Sequence, residues 1–88
     1  MDRASLLSLL EDLASIRSPQ HHDLTFTLAE ARNLFDHGEE VVAFEILCSN
    51  LYELSFPLTK ALYERIASIG ASWHVESDTW SCLESLVA

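Results

Sequence analysis

Apolar residues recur along this chain at steps of three and four, and strand-like alternation is absent over any useful length. The pattern predicts five amphipathic helices joined by short turns. The first starts after Asp2 and runs to about Arg17, with Leu6, Leu9, Leu10, Leu13 and Ile16 on one stripe. Ser18-Pro19 ends it, because proline drives the preceding residue out of the α region, and Gln20, His21, His22 and Asp23 form a polar connection. The second helix starts near Thr25 or Thr27, where Thr27-Leu28-Ala29-Glu30 reads as a capping box. It buries Leu28, Ala31, Leu34 and Phe35 and closes at Gly38, which supplies a left-handed conformation. The third runs from Glu39 or Glu40 to about Leu54. Its stripe is Val41, Phe44, Leu47, Cys48 and Leu51, widened by Val42 and Ile46, while Glu45, Ser49 and Glu53 align on another face. Pro57 suits the first turn of a fourth helix, about Leu58 to Ile69, with Leu58, Leu62, Ile66 and Ile69 inward and Gly70 at its end. A fifth, shorter helix begins near Ser77 or Asp78 and carries Trp80, Leu83, Leu86 and Val87. The expected fold class is all-α, a compact bundle of about five short helices in a single domain spanning residues 1–88.

Composition narrows the classes this bundle can join. Of the 88 residues, 49% are apolar, too many for a disordered acidic tail. Fourteen Asp and Glu oppose five Lys and Arg, a net charge of −9, which argues against direct contact with nucleic acid or an anionic membrane surface. No apolar run approaches the roughly 18 residues that span a bilayer. The opening segment reads as an amphipathic helix and not as a secretion signal, so a cytoplasmic location is expected. In that reducing compartment Cys48 and Cys82 are expected to be small buried hydrophobes with no disulfide between them.

The charge is unevenly placed. Residues 23–57 carry Asp23, Glu30, Asp36, Glu39, Glu40, Glu45 and Glu53 against Arg32 alone, a balance of −6. Some of these acids have local reasons to be there. Glu30 belongs to the capping box, and Glu39 and Glu40 sit in a first helical turn, where the macrodipole favours anions. Asp36 and Glu53 instead fall in last turns, where a cation is preferred; Arg32 can pair with Asp36, at a gain of only a few tenths of a kcal/mol. Residues that weaken their own helix are candidates for contact with a partner. His37, in the same turn as Asp36, serves the helix end as a donor.

No constellation for catalysis emerges. His21-His22, His37 and His74 are scattered without the i,i+4 pairing of a helical metal site, the cysteines lack a Cys-x-x-Cys partner, and neither a nucleophile elbow nor a phosphate-cradling glycine loop is present. No enzyme activity, metal or cofactor is expected. Trp73 and Trp80 flank a polar turn and are suited to pinning the last helix onto the bundle, or to anchoring a partner.

The run Ala31-Arg32-Asn33-Leu34-Phe35-Asp36-His37-Gly38-Glu39, followed by Ala43-Phe44-Glu45-Ile46-Leu47-Cys48-Ser49-Asn50-Leu51-Tyr52-Glu53 and by Phe56-Pro57-Leu58, resembles the MafI family of bacterial immunity proteins. The likeness covers about residues 24–88. It departs from the family at Gly70-Ala71-Ser72-Trp73-His74-Val75, which is more neutral than the charged stretch usual between the fourth and fifth helices. The resemblance implies a protein that neutralises the toxic C-terminal domain, often a nuclease, of a secreted toxin. A nuclease offers a basic groove, so the expected partner is a cognate basic toxin domain. The residues expected to meet it are Asp36, Glu39, Glu40, Glu45 and Glu53 for charge and Tyr52 as a desolvated anchor. Asn50 can bond either a partner or its own chain. Two other readings stand beside this one: an acidic helical adaptor or regulatory subunit that docks another protein through an apolar groove, and an acidic mimic of nucleic acid. The wide apolar stripe of the first helix also leaves self-association open.

Overall fold

Buried leucines at helical spacing set the path of the chain. A computed structural model describes residues 3–16 and 21–87, with backbone only for His21 and His22. Its elements are α1 (Arg3–Ala14), α2 (His21–Asp36), α3 (Glu40–Glu53), α4 (Lys60–Ser72) and α5 (Asp78–Ser81), the last running on as a 3₁₀ turn over Cys82–Leu86. The all-α bundle is therefore as the periodicity predicts. The radius of gyration is 11.6 Å, close to the roughly 12 Å of a compact chain of this length.

The α1 stripe holds: Leu6, Leu9, Leu10 and Leu13 are buried, with Ile16 packed at the edge of the core. The expected stop at Ser18-Pro19, like Arg17 and Gln20, lies outside the described residues. The second helix departs from expectation, because His21, His22 and Asp23 belong to it and not to a connection. Leu24 is fully buried and extends the apolar stripe one turn back, through Thr27, Leu28 and Ala31. Burial of that stripe outweighs the capping signal, so Thr27 is a buried residue inside the helix and Glu30 an exposed one.

The fourth helix also begins elsewhere than Leu58. Thr59 is its N-cap, with Oγ1 accepting the Leu62 N–H at 3.1 Å. Leu58 stays extended and forms a parallel bridge with Val87, where Leu58 N–H donates to Leu86 O at 3.1 Å. That bridge explains why the expected fifth helix is only one α turn followed by 3₁₀: the chain must straighten at Val87 to reach Leu58. Gly70 does not end α4; it is buried within it, because the Trp80 indole lies where a side chain on residue 70 would go. Trp80 gains that position through packing alone, since its buried Nε1–H has no partner among the described residues.

Three successive helices end in the same way. After α2, Glu39 N–H donates to Leu34 O and Gly38 N–H to Phe35 O. After α3, Phe56 N–H donates to Leu51 O and Ser55 N–H to Tyr52 O; after α4, Val75 N–H donates to Gly70 O and His74 N–H to Ala71 O. Each is a Schellman motif, with a left-handed residue at Gly38 (φ 80°), Ser55 (φ 49°) and His74 (φ 57°). Only the first was visible as a glycine. Gly38→Ala meets open space for its Cβ, so its cost is conformational, about 1 kcal/mol. Ser55→Gly should do the reverse. Relief of roughly 1–2 kcal/mol of left-handed strain exceeds the roughly 0.4–1 kcal/mol of added unfolded-chain freedom. Urea midpoints should fall for the first variant and rise slightly for the second.

Candidate protein-binding face

The rotation of α3 about its axis is fixed from inside. Ala43, Phe44, Leu47, Cys48 and Leu51 are all fully buried, and Phe44 meets Trp73 edge to face with ring centroids 6.0 Å apart. This turns Val42, Glu45, Ser49, Tyr52 and Glu53 outward, at steps of three and four along one face. Val42 therefore does not widen the buried stripe; Ala43 takes the inward place beside Phe44. Val42 is 38% exposed and Tyr52 52%, so two apolar groups stand in water at opposite ends of the helix, about 15 Å apart by helical rise. Glu45 and Glu53 lie between and beside them. Phe26 on α2 is a third large exposed apolar residue.

The six sequence-selected residues separate into three situations. Glu45, Tyr52 and Glu53 share the outer face of α3. Asp36 and Glu39 are exposed near the α2–α3 joint, with Asp36 Oδ1 accepting Arg32 Nε–H at 3.2 Å and Glu39 at the N-cap of α3 making no side-chain cap bond. Glu40 is engaged internally: its carboxylate, mostly buried, meets Arg3 Nε at 2.6 Å. His37 Nδ1–H donates to Asn33 O at 2.7 Å, the helix-end role expected of it. Asn50 is half-buried, and its backbone carbonyl accepts Leu54 N–H.

Arg3 escaped the sequence reading. Besides Glu40, its guanidinium donates to Phe35 O at 3.0 Å and lies 4.5 Å from the Phe35 ring centroid. One cation thus ties the start of α1 to the C-terminal end of α2, where positive charge is favoured, and to the first turn of α3. Among the described residues the other ion pairs are Arg32–Asp36 and Arg65–Asp12. Glu45, Glu53 and Glu76 are in none of them.

Two concavities are of interest, and only the first borders α3. One, of about 280 Å³, lies between α3 and the α4–α5 turn and includes Glu45, Trp73, His74 and Glu76. The other, of about 360 Å³, is a groove beside Tyr63 and Val87, flanked by Lys60, Glu64 and Glu84. Desolvation, and then the neighbouring Glu84, hold the Tyr63 phenol above its usual range. No group of three or more His, Cys, Asp or Glu among the described residues is placed to hold a metal ion.

The cysteines differ from each other. Cys48 is buried in α3, and burial, with Cys82 and Glu45 nearby, pushes its thiol up to about 12. Cys82 is exposed rather than buried, its Sγ–H reaching Thr79 O at 3.9 Å, because residue 82 starts the 3₁₀ turn on the solvent side. DTNB should therefore react readily with one thiol of the folded chain and with the second only on unfolding. Rapid reaction of both without denaturant would contradict this burial.

No family model, curated protein or solved structure matches the chain. No helix among the described residues is long and apolar enough to cross a membrane.

Proposed function

We propose that this chain is an immunity protein of the MafI type, which binds and neutralises the toxic C-terminal domain, a nuclease, of a cognate secreted toxin in the cytoplasm of the producing cell. The observation that carries the reading is the outer face of α3. There Val42 and Tyr52 are exposed apolar groups, set among carboxylates with no cation of the described chain against them. Large apolar side chains held in water beside unpaired charge suit a protein interface better than a merely solvated surface. The segments that carry the family resemblance fall on the latter part of α2, the α2–α3 joint, α3 and the connection after it, and so include this face.

The mechanism follows from charge and geometry. A nuclease must hold a polyanion, so its groove is cationic. A net charge of −9 raises the encounter rate with such a surface by roughly ten- to thousandfold, an effect that salt suppresses. Retention then falls to the apolar contacts, with Tyr52 as the anchor at one end of the face beside Glu53, and Val42 at the other end beside Glu45. Asp36 and Glu39 extend the acidic surface toward the joint. Glu40 contributes by fixing that joint through Arg3.

Co-expression tests the class. The C-terminal domain encoded by the neighbouring toxin gene should kill cells alone and be tolerated when this protein is present. Glu45→Lys with Glu53→Lys should weaken binding at least about tenfold at low salt, with helicity unchanged. An unchanged dissociation constant would overturn this assignment of the face. The adaptor reading draws on the groove beside Tyr63 and Val87. It predicts binding nearly insensitive to salt and to that charge reversal.

A further inference from the structure

We propose that the cleft between α3 and the α4–α5 turn is the receptor for a single arginine side chain of the cationic partner. The inference rests on the reading of a basic protein partner and adds where, and by which residue type, that partner is gripped. The cleft, of about 280 Å³, sets Glu45 on α3 against Glu76 on the turn, with Val41, Val75 and Trp73 supplying apolar wall. Three of the chain's own arginines are engaged elsewhere, Arg3 with Glu40, Arg32 with Asp36 and Arg65 with Asp12, and neither cleft carboxylate has an ion pair among the described residues.

Arginine fits this combination better than lysine. A guanidinium is planar and weakly hydrated, stacks on aromatic surface and forks onto carboxylates, whereas an ammonium is a compact, strongly hydrated charge. Trp73 is only 7% exposed and packs edge to face with Phe44, so it is a fixed part of the cleft wall and the grip falls mainly to the two carboxylates. The turn is also organised in advance. Trp73 N–H donates to Ile69 O at 2.9 Å, Val75 N–H to Gly70 O at 2.9 Å and Thr79 N–H to Glu76 O at 3.0 Å. Little ordering remains to be done on binding, which preserves affinity. The cleft opens beside Glu45, so an arginine seated there belongs to the same interface as Val42 and Tyr52.

The test is a titration of the isotope-labelled full chain with N-acetyl-arginine amide, its lysine analogue and its neutral isostere N-acetyl-citrulline amide, followed by amide and indole chemical shifts at low salt. Arginine should give saturable shifts at Glu45, His74, Glu76 and the Trp73 indole, lysine weaker ones and citrulline none. Glu45→Gln with Glu76→Gln should weaken the arginine response about tenfold while circular dichroism stays unchanged. Equal shifts from citrulline, or shifts that avoid the cleft, would overturn the proposal. A decaarginine peptide separates the two levels of the argument. Undiminished binding to the double variant removes the cleft and leaves the acidic partner face standing. Failure of the unmodified chain to bind the peptide at all removes both.

Discussion

Gly70→Ala should destabilise this protein by about 2 kcal/mol, opposite in sign to the usual outcome of replacing a helix-interior glycine. Alanine normally gains roughly 1 kcal/mol at such a site through helix propensity alone. Here a Cβ would overlap the Trp80 indole, on both its Cδ1 and Nε1 atoms. Neither neighbour can yield cheaply. Gly70 is buried in the last turn of α4, and Trp80 packs against the main core from the only turn of α5. Overpacking of this kind typically costs 1–3 kcal/mol, and overlap with two ring atoms at once belongs at the upper end, so a net loss of about 2 kcal/mol remains after the propensity gain. Urea unfolding should show a lower midpoint together with a changed tryptophan emission. In a Trp80→Ala background the same Gly70→Ala change should be neutral or stabilising, because the obstruction is gone. A gain in stability with Trp80 present would show that the indole does not rest on residue 70.

Arg3→Ala is the second large effect, again about 2 kcal/mol. A hydrogen bond from a charged donor contributes about 1.5–3 kcal/mol and an exposed cation–π contact about 0.5–1 kcal/mol. Arg3 makes the first to Phe35 O and the second to the Phe35 ring, and pairs with Glu40 besides. Its side chain is about half exposed (53%), so solvent screening reduces the sum. Arg3→Lys keeps the charge but loses the planar fork, and should recover less than half of the loss. A double-mutant cycle with Glu40→Gln isolates the ion pair, whose coupling should be near 1 kcal/mol. Additive losses within error would show that Arg3 acts through Phe35 alone.

The parts of the fold that were legible in sequence are those written in helical periodicity. Apart from Val42, the stripes of α1, α3 and α4 lie inward as read, since burial of leucine, isoleucine and phenylalanine depends only on which face they share. Boundaries were less legible because caps compete with packing. Thr27 had a good capping signature and lost to burial around Leu24, while Thr59, without a glutamate three residues on, is a genuine cap. Gly70 looked like a helix end because a glycine has two uses that a single sequence does not distinguish, a left-handed turn or a seat for a bulky neighbour. Ser55 and His74 carry left-handed turns that no glycine advertised.

At the candidate face, Glu45 and Glu53 could be read from their four-residue steps through Ser49 and their independence of capping, whereas Tyr52 entered only as the aromatic anchor that the resemblance implied. Glu40 could be ranked only by its position in a first turn, and its engagement by Arg3 depends on a contact 37 positions away in sequence. The cleft with Glu76 and His74 was hidden for the same reason. It joins α3 to a turn more than 20 residues later, and no periodicity within either segment encodes that approach.

The Schellman joint at Gly38 has a consequence for the order in which this chain assembles. α2 and α3 are joined by only a few residues and share the most extensive helix–helix pairing in the molecule. Closing so short a loop costs little entropy, so this helical hairpin is the natural nucleus, with α1 and the segment beyond α4 condensing onto it afterwards. Amide protons of Ala43 to Leu51 should then be the slowest to exchange with solvent. The outer face of α3 would be formed with the nucleus, before the chain's ends have docked.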